Sequence, residues 1–277
     1  MIVANNLRKE KHEVTIYSDA LNGLQNFFSD IIIRPWLSEN LNPAELKREF
    51  SPYDRIVSAD YTPILDRLKG EEKLLVFEEK NFDKTKSMVE NLMICCKKNL
   101  SISHVTKETG ICIPKKFSYR SCSKRVIIHP TSMDQKKNWP QKKFFLLAKK
   151  LQREGFQVTF ILSPSERKDR TWMQCEGVSI PLFSSMEDLC TYVFESAYMI
   201  GNDSGIGHLS SLLKIPTLSI FSRKSYSKLW RPGWGGGDVV VPTMFFPGAR
   251  LKQKYWKKML SVRKVFRAFL HLRDKYS

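Results

Sequence analysis

The sequence predicts an α/β fold built on parallel sheet, and three observations carry that expectation. Short β-branched or apolar runs alternate with amphipathic stretches along the chain. In the second half the alternation is regular enough to read as a βαβα series, which places ligands at the carboxyl ends of the strands. The chain has 277 residues, and at roughly 100–200 residues per domain it holds two domains, each able to bury a core.

The first half opens with an expected helix over residues 2–11, then a strand (14–18), a helix (21–28) and a strand (30–34). A helix over 43–49 and strands over 55–59 and 73–77 come next. A longer helix, 84–98, carries Val89, Leu92 and Met93 at helical spacing. Residues 114–124 are polar and basic without periodicity and read as the connection between domains. In the second half, 125–129 is a strand, and 140–154 is a helix with Pro140 near its first turn and Gly155 past its end. Strand 158–162, helices 166–175 and 186–197, strand 198–201, helix 208–213 and strand 216–221 complete the series. The expected domains are 1–120 and 121–250, followed by a basic helix over 251–277.

The distinctive polar residues fall at the expected strand ends. Asn202-Asp203-Ser204-Gly205-Ile206-Gly207 joins a strand to a helix that opens with His208. Its glycines let the backbone approach a ligand, and the free amides and positive dipole end of the helix favour a phosphate or diphosphate. Taken alone, the segment reads equally as a capped helix start, with Asp203 or Ser204 as the cap. Clustering with the other loops favours the ligand. His129-Pro130-Thr131-Ser132 follows another strand, and Lys137-Asn138-Trp139-Pro140 opens the next helix. Hydroxyls and a lysine there suit phosphate oxygens. Trp139-Pro140 also suits plain helix packing, and Lys137, beside Lys136, suits a solvated charge. Ser163-Pro164-Ser165-Glu166 has the spacing of a capping box, while a carboxylate at a strand end can also take a ribose diol.

Composition narrows the function classes. Lys and Arg number 46 against 28 Asp and Glu, a net charge of +18 that draws the protein toward an anionic partner. With 42% hydrophobic and 27% charged residues the chain is globular rather than disordered. No apolar run approaches the roughly 18–20 residues of a membrane span. Met1-Ile2-Val3-Ala4-Asn5-Asn6 turns polar too soon for a signal peptide. The six cysteines form no C-x-x-C pair and the five histidines no zinc spacing, so a cytosolic protein with reduced thiols and no structural metal is expected. No nucleic-acid motif accompanies the charge. Over 251–277, Lys257, Lys258, Arg263, Lys264 and Arg267 interleave with Trp256, Phe266 and Phe269. Such a face can lie on anionic lipid, or its apolar stripe can pack on the domains.

Taken in order, these residues resemble the ADP-heptose:lipopolysaccharide heptosyltransferases, glycosyltransferase family 9. The likeness rests on Val126-Ile127-Ile128-His129-Pro130-Thr131-Ser132, on Lys137-x-Trp139-Pro140, and on Ser163-Pro164-Ser165-Glu166. It continues through Met186-Glu187-Asp188-Leu189, Gly201 to Leu209, Ile215-Pro216-Thr217 and Trp230-Arg231-Pro232. It is clear from Arg125 to Pro232 and vague before.

The resemblance implies a GT-B architecture, two Rossmann-like domains facing a cleft, with the nucleotide-sugar donor held by the second. It implies that Thr131, Ser132 and the Ser204-Gly205-Ile206 backbone hold the diphosphate, with Lys137 near it. Glu166 would bind the ribose, Asp203 and His208 would lie by the sugar and phosphate, and Phe183 would serve the adenine pocket. The implied chemistry is inverting transfer with no metal and no cofactor beyond the donor, ADP-heptose. In it a first-domain carboxylate deprotonates the acceptor hydroxyl, and Lys137 and the helix amides stabilise the leaving group. The implied acceptor is an acidic, lipid-linked lipopolysaccharide core, met in the cytoplasm with peripheral contact to the inner membrane face. Family members open with a strand and a glycine-aspartate loop whose aspartate is the base. Here Met1 to Leu7 reads as the first helix, so that strand is expected to be missing and no base is named. The alternative implied by that departure is a nucleotide-sugar-binding relative without turnover.

Overall fold

Residues 1–59, 62–243 and 249–277 are described by the computed structural model, and they divide into two units, Met1–Gly110 and Ile111–Ser277. The first contains α1 (Ile2–Lys9), β1 (Val14–Tyr17), β2 (Ile31–Arg34), α2 (Pro43–Phe50), β3 (Ile56–Ser58), α3 (Pro63–Asp66), β4 (Leu74–Val76) and α4 (Met88–Asn99). Both longer helices after β2 start where the sequence signals it. Asn42 and Glu45 form a reciprocal capping box on α2, with Pro43 in its first turn, and Ser87 and Glu90 do the same on α4. β1 pairs in parallel with β2, from Val14 opposite Ile31 to Tyr17 opposite Arg34, and β3 pairs in parallel with β4. These remain two separate pairs. The helix expected over 21–28 is instead a single 3-10 turn at Gln25–Phe27, because Gly23 takes a φ of +88° and breaks helical continuation.

The second unit contains β5 (Cys122–His129), α5 (Gln141–Arg153), β6 (Gln157–Phe160), α6 (Met186–Phe194), β7 (Ser196–Asn202), α7 (Gly205–Leu212) and β8 (Thr217–Ile220). It continues with α8 (Lys224–Trp230), β9 (Gly237–Val240), α9 (Ala249–Met259) and α10 (Val262–Tyr276). Its five strands run parallel in the order β6-β5-β7-β8-β9. The chain goes from β5 to one side for β6 and to the other for β7, so a topological switch point lies between β5 and β7. Every residue of β7 is buried, as a strand covered on both faces requires. Gly201 sits where β7 crowds β5: a Cβ there would stand 2.7 Å from the His129 carbonyl oxygen. The α/β fold with parallel sheet is as expected.

Several expectations differ from what the chain does. The division falls after Gly110, ahead of the basic stretch over 114–124, whose last residues already belong to β5. The expected helix over 166–175 is two 3-10 turns, Glu166–Lys168 and Arg170–Gln174, because the Asp169 carboxylate takes the Thr171 amide at 3.0 Å and restarts the chain. The basic tail is not one helix but two, separated where the Ser261 hydroxyl caps α10 by accepting from the Lys264 amide. Trp256, Leu260, Val265, Phe269 and Leu272 are fully buried in the core with Phe144, Leu147 and the sheet. Of the two readings open for Trp256 and Phe269, a lipid-facing surface or packing on the domain, the structure takes the second: both form core. Burial of each large apolar side chain contributes about 1.5–3 kcal/mol, which decides the matter against exposure. The side chains of Lys252 and Lys254 lie outside the described residues. Among the described residues no helix is long and apolar enough to cross a membrane.

Candidate functional site

Three loops gather at the carboxyl ends of β5, β6 and β7, and a buried amide ties two of them together. Asn202, the last residue of β7, donates from Nδ2 to the Pro130 carbonyl at 2.6 Å and accepts the Trp139 amide on Oδ1 at 3.0 Å. One side chain thus fixes the loop after β5, the start of α5 and the end of β7. Its polarity is fully used inside the protein, as burial demands.

Beside it the Lys137 ammonium lies 2.7 Å from Asp203 Oδ2. The lysine side chain is 43% exposed and the aspartate 10%. The lysine's loop is braced from behind by the tail. The Trp256 indole donates to the Lys136 carbonyl at 3.2 Å, the Lys257 ammonium donates to the Gln135 carbonyl at 2.8 Å, and the Trp139 indole reaches the Leu260 carbonyl at 3.1 Å. Lys143 donates to the Lys257 and Leu260 carbonyls, each at 2.7 Å, and so closes the end of α9. Burial pushes its ammonium down.

The start of α7 offers unused donors. The Gly207 and His208 amides fold back to the Ser204 carbonyl, at 3.1 and 3.3 Å, which leaves the Gly205 and Ile206 amides at the open end. Ser204 occupies the capping position yet makes no capping bond, and Asp203 is turned to Lys137, so neither plays the cap that spacing alone allows. The Ser204 hydroxyl is buried with no hydrogen-bond partner. A Cβ built on Gly205 would meet nothing within 4 Å, so the protein leaves that backbone approachable. Ser132 is engaged within its own loop, its hydroxyl bridging Asn138 Oδ1 at 2.6 Å and the Asp134 carbonyl at 2.9 Å.

Glu166 is held as the capping box foresees: its carboxylate accepts the Ser163 amide at 2.7 Å and its amide donates to the Ser163 hydroxyl at 3.3 Å. The same carboxylate stands 4.0 Å from His129 Nε2 at the end of β5. Burial works to raise the Glu166 carboxyl, but the Ser163 amide, the Thr131 and Ser163 hydroxyls and His129 together hold it below its ordinary value. Burial pushes His129 down, against the pull of Glu166. His208 is likewise pushed down by burial, with Asp203 opposing and Lys137 reinforcing. Its ring meets the edge of Trp234, centroids 6.1 Å apart. Phe183 makes its ring contact elsewhere, packing on Tyr192 at 5.3 Å.

Thr131, Lys137, Glu166, Asp203, Ser204, Gly205, Ile206 and His208 thus stand on three neighbouring strand ends, and Ser132 shapes one of the loops. A cation, free amides and the buried unpaired Ser204 hydroxyl suit an anion such as a phosphate. Sequence reasoning missed Asn202, Trp234 and Trp256 as supports. A polar residue closing an otherwise apolar strand was the available signal for Asn202; nothing local marked the tryptophans.

Comparison with known proteins gives the family and the fold. The family model described as glycosyltransferase family 9 (heptosyltransferase) matches residues 71–241. Lipopolysaccharide heptosyltransferase 3 of Escherichia coli (strain K12) is 28% identical over 132 residues, which cover 43% of this chain and only 38% of that relative. Among solved structures, the glycosyl transferase family 9 protein from Veillonella parvula DSM 2008 superposes with a TM-score of 0.74 at 14% identity, covering 98% of this chain and 92% of that one. The E. coli ADP-heptose lipopolysaccharide heptosyltransferase II gives 0.71 at 12% identity, covering 99% and 95%. At such identities the superpositions show the fold alone.

Proposed function

The chain belongs to glycosyltransferase family 9, and on that premise we propose that it transfers heptose, or a related sugar, from ADP-heptose to an acidic lipid-linked lipopolysaccharide core. The observation that carries this reading is the buried, unpartnered hydroxyl of Ser204, set at the switch point beside the open amides of α7 and Lys137, with the Thr131 hydroxyl turned to Glu166 on the neighbouring loop. In the proposal the donor diphosphate rests on those groups. Glu166 takes the ribose, Phe183 serves the adenine, and Asp203 and His208 stand by the sugar and phosphate.

The reaction we propose is an inverting displacement that uses no metal and no cofactor beyond the donor. An acceptor hydroxyl attacks the anomeric carbon, loses its proton to a carboxylate base, and the bond from that carbon to the diphosphate oxygen breaks. Lys137 and the α7 amides stabilise the charge that grows on the departing ADP, electrostatic help that is already in place before reaction. The surplus of Lys and Arg suits the acidic acceptor. With Trp256 and Phe269 buried, any contact with the inner face of the cytoplasmic membrane is electrostatic and peripheral.

The test pairs binding with turnover. ADP raises the melting temperature, since a ligand specific to the folded state stabilises it, and ADP is released from ADP-heptose only when a core acceptor is present. Binding without release would leave a nucleotide-sugar-binding protein, and no response to ADP would overturn the donor site.

A further inference from the structure

Across the second sheet the strands stand in the order β7, β5, β6, neighbours about 4.8 Å apart. With a diphosphate at the end of β7 and a ribose on Glu166, after β6, the base of the nucleotide is carried outward, beyond β6. A short segment continues the sheet on that side. Ser179 bridges Thr159 in parallel, its amide donating to the Val158 carbonyl at 3.1 Å and its carbonyl accepting the Phe160 amide at 2.8 Å. Being parallel to β6, the chain runs on toward the same sheet end as Ile180-Pro181-Leu182-Phe183. Arg167, the residue after Glu166, holds this segment: its Nη1 donates to the Ile180 carbonyl at 2.8 Å and to the Pro181 carbonyl at 3.0 Å. Its own amide donates to the Ser163 carbonyl at 3.0 Å, so the arginine is fixed to the loop that carries Glu166. Pro181 has no N–H to offer. The next main-chain groups are those of Leu182, and among the described residues neither its amide nor its carbonyl has a hydrogen-bond partner. The Leu182 side chain is 75% exposed, whereas the Phe183 ring is engaged with Tyr192.

We propose that Arg167 is a positioning residue that selects the base of the donor nucleotide. By tying the Ile180 and Pro181 carbonyls to the Glu166 loop, it holds the Leu182 amide and carbonyl in fixed register for a purine edge, with the Leu182 side chain against the ring face. The inference rests on the donor site proposed above. Adenine carries the matching edge, a ring nitrogen that accepts beside an amino group that donates. Guanine reverses it, with a carbonyl that accepts and a ring N–H that donates, and so sets donor against donor and acceptor against acceptor. A site built to pair one pattern rejects the other because its own polar groups are then left unpaired. A loose segment adapts to either edge. Two bonds from one guanidinium nitrogen remove that freedom before the ligand arrives, which is preorganisation.

The experiment is calorimetric titration of the full chain with ADP, GDP and inorganic pyrophosphate. The unaltered chain binds ADP about tenfold or more tightly than GDP, the scale of one hydrogen bond gained against one lost. Arg167→Met keeps the apolar stem and removes the donors; it brings the ratio of ADP to GDP affinity close to one and leaves pyrophosphate affinity unchanged. Arg167→Lys, which keeps a donor at the end of the stem, restores part of the ratio. Leu182→Pro removes the reading amide itself at an exposed position, so the ratio also collapses there without any demand on the folding of the Arg167 variants. Glu166→Gln weakens ADP and GDP alike and leaves their ratio, which separates the ribose from the base. The inference is overturned if Arg167→Met keeps the preference for ADP, if ADP and pyrophosphate weaken together in that variant, or if the unaltered chain binds ADP and GDP equally. No binding of ADP or pyrophosphate by the unaltered chain overturns the donor site itself, and this inference with it.

Discussion

Lys137 and Asp203 are joined across the switch point of the second sheet, with 2.7 Å between an ammonium on the loop after β5 and a carboxylate at the end of β7. The lysine end of the pair is 43% exposed and the aspartate 10%, so water screens it from the lysine side. Its worth to stability is therefore small, about 0–1 kcal/mol, and its value lies in where it holds the charge. Lys137→Met is expected to leave the melting temperature nearly unchanged while lowering transfer by about 10²–10³, the scale for losing one preorganised stabilising group. A large drop in melting temperature with normal turnover per folded molecule would make the lysine structural.

Gly205→Val separates protein strain from ligand exclusion. The new side chain has open space in the protein, so the variant folds with its melting temperature intact. It also stands over the first-turn amides, so the stabilisation by ADP is lost. Thermal melts with and without ADP check both halves, and an unchanged ADP response would remove this loop from the site.

For Glu166→Gln the cap and the ribose role predict different results. Glutamine serves a capping box too, so stability is retained. Nucleotide affinity falls by about 1–3 kcal/mol, the scale of a hydrogen bond to a charged group. Calorimetric titration with ADP decides, and normal affinity would leave Glu166 as a cap alone.

The two buried histidines give the stability a pH dependence of definite sign. Both His129 and His208 are held below the ordinary 6.5 in the folded state, chiefly by burial. As pH falls through 6.5 the unfolded chain takes up protons that the folded chain refuses, so stability is full above that value and declines below it. Melting temperatures measured from about pH 8 to pH 5 should fall at the acid end, and His129→Gln should flatten part of the slope. NMR titration adds a finer check: Lys137→Met raises the His208 value, because that lysine is one of the groups lowering it.

On the tail, Arg263 and Arg267 point outward on α10 while Val265 and Phe269 point in. Sedimentation with anionic vesicles should therefore be abolished by salt and reduced by Arg263→Glu with Arg267→Glu, with no residual binding to neutral vesicles. Each exposed basic residue near such a surface contributes about 1 kcal/mol. Salt-resistant pelleting would mean that apolar side chains enter the lipid, against their burial here.

Sequence legibility followed the physics of each segment. The strands of the second sheet announced themselves because both faces are buried, which leaves unbroken apolar runs such as Val126 to Ile128. The residues of the strand-end loops were legible because glycine, hydroxyl and cation recur there. β9 was missed because its first residue extends the glycine run at 235–237, which reads as a turn. Those glycines have close neighbours: a Cβ on Gly236 would run into the Tyr276 ring, and one on Gly237 would meet the Thr217 carbonyl at 2.7 Å. The break at Ser261 was hidden because charge continues across it on both helices. The burial of Trp256 depends on α5 and the loop of Lys136, 120 residues away in sequence, which no local pattern can carry.

The core position of the last helix sets an order of events during synthesis. Residues 1–110 are out once Gly110 has emerged, whereas the second sheet waits for Trp256, Val265, Phe269 and Leu272 to cover it. At about 5–20 residues per second, the roughly 160 residues between Gly110 and Leu272 take about 8–32 s to leave the ribosome. For most of that interval Val126, Ile128 and the apolar side of α5 stand without their final cover. Throughout that time the nascent second unit exposes apolar surface that α9 and α10 later cover.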